Sequence, residues 1–114
     1  MNNSVSVSKA FIKDAKTLLK KYHTLKQSIN TLIENLIENP YLGVPYGDKL
    51  FKVRLADKSK GSGKSGGFRV MYYHLIKTEA GIEILLLTIF DKSEKSSISK
   101  ADAIKKLANV LKDL

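Results

Sequence analysis

The residues of this chain best suited to chemistry are cations placed at strand spacing. Lys52 and Arg54 lie two residues apart in a run that alternates apolar and basic side chains, and Arg69 lies in a second such run. Side chains two apart on a strand share a face, so Lys52 and Arg54 are predicted to point into one groove. Arginine stays charged and binds phosphate oxygens through paired N–H donors. The pattern therefore indicates a site that brackets a phosphodiester backbone, opposite the strand that carries Arg69.

A loop rich in lysine, serine and glycine joins these two runs and adds to their positive charge. The segment from Lys49 to His74 holds seven of the chain's 20 cations and one of its 11 acids, while the formal net charge of all 114 residues is +9. Glycines let a backbone approach a phosphate chain closely, and lysines neutralise its charge. We interpret the loop as a basic flap for a polyanion; the alternative is a solvated hairpin loop whose lysines only keep it soluble.

Other kinds of site fit the sequence less well. Gly63-Lys64-Ser65 matches the end of a phosphate-binding P-loop, but position 58, where that pattern needs glycine, is lysine, and a strand pattern follows instead of a helix. The chain has no cysteine and only two histidines, so no metal site of usual ligand spacing is expected. His74 lies within a strand pattern and is predicted to be packed or hydrogen-bonded instead of catalytic.

Composition favours a single cytoplasmic domain without a membrane span. A chain of 114 residues with 43% hydrophobic side chains can bury a core without disulfides. Its first residues lack the basic and apolar regions of a signal peptide. Its longest apolar run, Ile82 to Phe90, has the length of a strand and not of a membrane helix.

Hydrophobic periodicity predicts an α+β fold with the order β-α-α-β-β-β-α. A short strand over Ser4 to Ser8 precedes an αα-hairpin over Lys9 to Asn39, which ends before Pro40. Ser99 is expected to cap the last helix. Three later strands are predicted, over Lys49 to Ala56, Gly66 to Lys77 and Ile82 to Phe90.

These elements are expected to form an antiparallel sheet with the helical hairpin packed on it. The turn-rich segment Tyr41 to Asp48 is interpreted as a connection. With the helices on one face, a groove would remain on the other face or at the sheet edge, where the basic strand residues can point. The alternative role for each arginine is a salt bridge, for which the candidate acids are Glu79, Glu83 and Asp91.

Taken together, these motifs resemble the RelE superfamily of bacterial toxins, and within it the HigB-like branch. Members of that branch carry a Lys-x-Arg strand, a loop rich in Gly and Lys, and a Gly-Gly-x-Arg strand, here Lys52 to Ala56, the basic loop, and Gly66 to Tyr73. Asn39-Pro40-x-x-Gly43 and the segment Leu86 to Lys92 match as well. The resemblance extends over most of the chain, from the first helix to Lys95.

The resemblance implies a RelE-like toxin domain over residues 1–114 that belongs to a type II toxin–antitoxin pair. Such toxins cut mRNA, usually on the translating ribosome, use no cofactor or metal, and are neutralised by a cognate antitoxin, so the protein is expected as a monomer or a complex with that antitoxin. By motif position, the catalytic groove would contain Lys52, Arg54, Arg69 and Lys92. The lysines expected to bind RNA around it are Lys58, Lys60, Lys64 and Lys95.

One departure from the family pattern keeps two functions open. The HigB-like branch often has tyrosine where this chain has Phe90, and other RelE-type nucleases carry Arg or Tyr downstream, where this chain offers Ser93 and Ser99. A phenol can donate or accept a proton and a phenyl ring cannot, so Lys52 or Lys92 would have to act as acid or base. The first hypothesis is a ribosome-dependent endoribonuclease. The second is a non-catalytic RelE- or ParE-like toxin or RNA-binding module.

Overall fold

The computed structural model describes residues 2–58, 67–93 and 98–112. Its elements, in chain order, are β1 (Ser4–Val7), α1 (Lys9–Lys21), α2 (Leu25–Glu38), β2 (Val44–Gly47), β3 (Leu50–Leu55), β4 (Phe68–Thr78), β5 (Gly81–Asp91) and α3 (Lys100–Lys112). The predicted α+β class is confirmed, with one strand more than the sequence indicated. Within these residues, no helix is long and apolar enough to cross a membrane.

The five strands form one sheet in the order β1-β5-β4-β3-β2. Strands β3, β4 and β5 pair antiparallel, as the predicted meander requires, and the two longest, β4 and β5, lie at the centre. Strand β1 departs from the expected antiparallel sheet because it pairs parallel with β5. The chain reaches β5 from β1 only after the helical hairpin and three further strands, a connection long enough for parallel pairing.

The segment Tyr41 to Asp48 is more than the connection predicted from its prolines and glycines. It contains β2, which pairs antiparallel with β3 and places Val44 opposite Lys52 and Pro45 opposite Phe51. Proline lacks an N–H and is tolerated in a sheet at an edge. Because β2 is an edge strand, Pro45 is tolerated there. The register shifts between Pro45 and Gly47, and the sheet gains one strand beside the basic residues of β3.

Helices α1 and α2 form the predicted hairpin and cover one face of the sheet. The hydroxyl of Ser8 accepts a hydrogen bond from the N–H of Phe11 at 2.9 Å and so caps α1 as expected. The apolar side chains of both helices pack on Phe51, Phe68 and Tyr72 of the strands. This is the larger of the two cores that the described residues form.

The expectation that all helices pack on one face is wrong, because α3 covers part of the opposite face. Ser99 caps this helix, as predicted, through a hydrogen bond from the N–H of Asp102 at 3.1 Å. Leu107 and Val110 of α3 pack with Met71 and Leu87. Strands β4 and β5 are apolar on both faces, so each face needs a cover. What remains for a groove is the end of this second face where the basic residues of β3 and β4 lie.

Candidate functional site

The two arginines lie directly opposite each other on neighbouring strands. Arg54 of β3 pairs with Arg69 of β4 in the sheet register, and Lys52 pairs with Met71 two residues away. Side chains of directly paired residues project to the same face of a sheet. Arg54, Arg69 and Lys52 therefore share the face of α3, which is the arrangement that the groove hypothesis requires.

These cations line an open pocket of about 590 Å³ at the end of that face. Lys92 reaches the same pocket because its N–H donates a hydrogen bond to the carbonyl of Gly67 at 3.2 Å, just before β4 begins. The pocket thus brings together all four residues that the resemblance places in a catalytic groove. Its described lining is Leu42, Gly43, Val44, Lys52, Val53, Arg54, Arg69 and Lys92.

Arg69 is the most unusual of the four cations because it is buried, with 6% of its surface exposed. Its guanidinium donates a hydrogen bond of 3.2 Å to the carbonyl of Phe68. Among the described residues it has no carboxylate partner, so the salt bridge considered for it is absent. Burial lowers the pKa of Arg69, and the positive charge of the neighbouring Arg54 lowers it further. A buried cation that faces a second cation is a site prepared for an anion.

Lys52 is supported by an aromatic ring that the sequence did not single out. Its ammonium lies 5.1 Å from the centre of the Tyr46 ring, within the range of a cation–π contact. The Tyr46 hydroxyl donates a hydrogen bond of 2.7 Å to the carbonyl of Ile98 and so joins β2 to the start of α3. The signal that could have identified Tyr46 is its place in β2, which the two neighbouring turn residues, Pro45 and Gly47, obscured.

The segment Pro40 to Gly43 contributes one wall of the pocket through Leu42 and Gly43. Two buried side chains of β4 hold this segment in place. The carbonyl of Pro40 accepts hydrogen bonds from the Tyr72 hydroxyl at 3.1 Å and from Nε2 of His74 at 2.8 Å. The Tyr72 hydroxyl also accepts the N–H of Gly43 at 2.8 Å. His74 is therefore a buried, hydrogen-bonded residue, as predicted, and Tyr72 belongs to the core.

Gly43 has no room for a side chain. A Cβ atom there would lie 2.7 Å from the carbonyl oxygen of Lys52 and 3.1 Å from the ring of Tyr72. Only glycine lets this segment approach β3 so closely. The glycine of the Asn39-Pro40-x-x-Gly43 motif thus brings the pocket wall against the strand that carries Lys52.

The structure describes two further residues that the sequence analysis singled out, and three others lie outside the described ranges. Lys58 is exposed and lines a second cavity beside the pocket. Phe90 is buried and pairs with Arg69 in the sheet register, so its ring, which has no hydroxyl, lies on the same face of the sheet as Arg69. The other lysines expected to bind RNA, Lys60, Lys64 and Lys95, lie outside the described residues.

The pocket can hold an anion by charge and by directed N–H donors. None of its described lining residues is His, Asp or Glu, so proton transfer there would depend on a lysine. No cluster of three potential metal ligands occurs within the described ranges. The exposed Leu42 and Val44 add an apolar wall beside the cations, a surface suited to the ribose and base of a nucleotide.

Comparison with solved structures gives a match over nearly the whole chain. A double mutant of the E. coli toxin RelE, solved in the free state, superposes with a TM-score of 0.59 at 13% sequence identity, covering 94% of this chain and 99% of RelE. The chain has the fold of RelE. No protein-family profile matches the sequence, and no curated protein matches it either. The expected RelE-like fold is confirmed by the backbone, and at this identity the likeness concerns the fold alone.

Proposed function

We propose that this protein is the toxin of a type II toxin–antitoxin system and cuts mRNA on the ribosome in the cytoplasm. The observation that carries the proposal is the pocket in which Lys52, Arg54, Arg69 and Lys92 meet on a RelE-like fold. The Lys-x-Arg motif of β3 and the Gly-Gly-x-Arg motif at the start of β4 support the HigB-like branch as part of this proposal. A cognate antitoxin is its expected protein partner, and a small acidic or helix-turn-helix protein encoded beside it would support this part of the proposal.

The chemistry proposed for the pocket is attack of an RNA 2′-hydroxyl on the adjacent phosphorus. The 2′-oxygen forms a bond to phosphorus while the bond to the 5′-oxygen breaks, and a base takes the 2′ proton as an acid protonates the leaving oxygen. Arg54 and Arg69 hold the phosphate and stabilise the added negative charge. Lys52 and Lys92, on either side of the arginines, are the candidates for proton transfer.

The test is induction of the protein in cells, followed by primer-extension mapping of mRNA. The wild-type protein should arrest growth and produce discrete cuts within codons, and Arg69→Ala should abolish both effects. Lys16→Ala, which removes an exposed cation of α1 far along the chain from the pocket, serves as the control and should remain toxic. Growth arrest by Arg69→Ala would contradict the role assigned to that guanidinium.

A second function, RNA binding or toxicity without cleavage, is favoured by one observation. Phe90 pairs with Arg69 in the sheet register at a position where a tyrosine could supply a proton, and the pocket's described lining has neither histidine nor carboxylate. Intact transcripts in arrested cells would support this function over the nuclease. If the missing hydroxyl is what prevents cleavage, Phe90→Tyr should produce cuts in transcripts that the wild-type protein leaves intact.

A further inference from the structure

A second cavity, of about 580 Å³, adjoins the cationic pocket on the side of α2. Leu42 and Arg54 line both cavities, so the two lie side by side with these residues between them. Nothing in the proposed cleavage chemistry uses this second cavity. Its described lining is Gln27, Ser28, Thr31, Leu32, Asn35, Leu42, Arg54, Leu55, Ala56, Asp57 and Lys58.

The helix side of this second cavity presents a stripe of uncharged polar side chains. Gln27, Thr31 and Asn35 are spaced four residues apart, so they lie on one face of α2 over a length of about 12 Å. All three are exposed, and none of their side chains makes a hydrogen bond within the described part of the chain. Amide side chains offer both donors and acceptors, which is the combination that base edges recognise.

The floor of the cavity is fixed by a buried carboxylate. Asp57, which follows β3, is 7% exposed and accepts hydrogen bonds from the hydroxyls of Thr24, at 2.9 Å, and Ser28, at 2.5 Å. These bonds attach the end of β3 to the first turns of α2. They hold the polar stripe of Gln27, Thr31 and Asn35 at a constant position relative to β3, as a surface that discriminates between ligands requires.

We propose that the Gln27–Thr31–Asn35 stripe of α2 reads the base of an RNA nucleotide next to the one whose phosphate lies between the arginines. This inference rests on the proposed function and adds to it a specificity-determining surface. A single strand held at Arg54 can continue past Leu42 into the second cavity, where Lys58 at the rim faces the backbone charge. Unpaired RNA bases are recognised on their exposed edges by such polar side chains.

The uncharged polar side chains on this surface favour RNA over a basic or acidic peptide as the occupant. A surface that only attracts phosphate would be expected to carry lysine at these three positions, as the exposed faces of α1 do at Lys13, Lys16 and Lys20. Hydrogen-bonding groups without charge contribute little to affinity in water and more to the choice between bases.

The experiment compares two asparagines of the same helix. Asn35→Ala removes an amide that lines the second cavity, whereas Asn30→Ala removes an amide that is also exposed but lies on another face of α2. Cut sites in total mRNA are mapped for the wild type, for each variant, and for Gln27→Ala with Asn35→Ala. In parallel, the same purified proteins select from a library of random 2′-O-methyl RNA oligonucleotides, which lack the attacking hydroxyl, so base preference is measured without cleavage and with both arginines in place.

The expected result is loss of discrimination at one nucleotide beside the cut. The ratio between the most and least favoured base there should fall about 5-fold or more in Asn35→Ala and further in the double variant, while Asn30→Ala keeps the wild-type ratio. Unchanged preferences in a protein that still cuts would overturn this inference and leave the proposed nuclease standing. Selection that depends on Asn35 in a protein that never cuts would support the inference and contradict the nuclease, and absence of any RNA binding would contradict both.

Discussion

The polar residues of β4 fall into two groups that face opposite sides of the sheet. On the side of α1 and α2, Tyr72 and His74 are buried with hydrogen bonds to the backbone of the Pro40–Gly43 segment. On the other side, Arg69 is equally buried, yet it has one carbonyl partner and a second arginine as its neighbour. The first group forms bonds that fix a wall, and the second leaves positive charge near an open pocket.

This difference separates polar residues that stabilise the fold from those that serve a ligand. A buried group with its hydrogen bonds made is neutral or favourable for stability, whereas a buried charge beside a like charge opposes folding. Two residues on, the same face of β4 buries the apolar side chain of Met71, so an apolar chain is compatible with this side of the sheet. Substitutions in the two groups should therefore have opposite effects on stability and activity.

The largest effect is expected for Arg69→Met, which replaces the buried guanidinium by an apolar chain. Cleavage of mRNA should fall about 100- to 1000-fold, since a group that stabilises transition-state charge is lost. The melting temperature should stay equal or rise, because a buried charge and its repulsion by Arg54 are removed. Calorimetry and a cleavage assay on the same preparation measure both properties, and a clear fall in melting temperature would place Arg69 with the structural group instead.

The sheet and the helical hairpin could be predicted because their signals are local. Strands β3 to β5 alternate or run apolar over strand lengths, and Pro40 ends the hairpin after α2. The place of α3 could not be predicted in this way. Its stripe is compatible with either face, and the choice depends on β4 and β5 being apolar on both sides while α1 and α2 cover only one.

The cationic pocket could be predicted because it depends on strand period and register. The spacing of Lys52 and Arg54 fixes their shared face, and antiparallel pairing brings Arg69 opposite. Tyr46 and the polar stripe of α2 (Gln27, Thr31 and Asn35) could not be predicted from the sequence pattern in this way. Their contribution arises from the pairing of an edge strand and from the rotation of a helix about its axis, which apolar periodicity defines only on the buried side.

A second substitution tests the close approach of Gly43 to both Lys52, which lines the pocket, and Tyr72, which supports the wall. Gly43→Ala puts a Cβ atom against the carbonyl of Lys52 and the ring of Tyr72, so the wall must move away from β3. We expect a loss of about 1–3 kcal/mol of unfolding free energy, as for other overpacked sites, together with reduced activity. Chemical denaturation and the cleavage assay check this. Leu42→Ala, an exposed change in the same wall, is the control and should leave stability near the wild-type value.

A stability loss of similar size, but without reduced activity, is expected for Tyr72→Phe. The change leaves the N–H of Gly43 without its acceptor and removes one donor from the carbonyl of Pro40. An unsatisfied buried group costs about 1–3 kcal/mol. Tyr73→Phe is the matched control, because this neighbouring tyrosine is half-buried and has no hydrogen bond through its hydroxyl within the described residues. Equal stability of the two variants would show that the bonds below the wall contribute nothing.

The smallest effect expected is a dependence of stability on pH that originates at His74. Burial, chiefly, lowers the pKa of this imidazole below its usual 6.5, and the charge of Lys77 acts in the same direction against the opposing hydrogen bond to Pro40. The folded state then binds fewer protons than the unfolded state. Stability is complete above about pH 6.5 and falls as the pH drops towards the folded pKa.

The control for this dependence is the other histidine. His74→Gln keeps a donor for the carbonyl of Pro40 and has no proton to take up, so its melting temperature should vary less between pH 7.5 and 5.5 than that of the wild type. His23→Gln changes an exposed histidine and should retain the wild-type profile. Because the carboxylates titrate mostly below this range, a profile that survives His74→Gln would have to come from a group outside the wall, and the hydrogen bond of His74 would then support the fold at every pH equally.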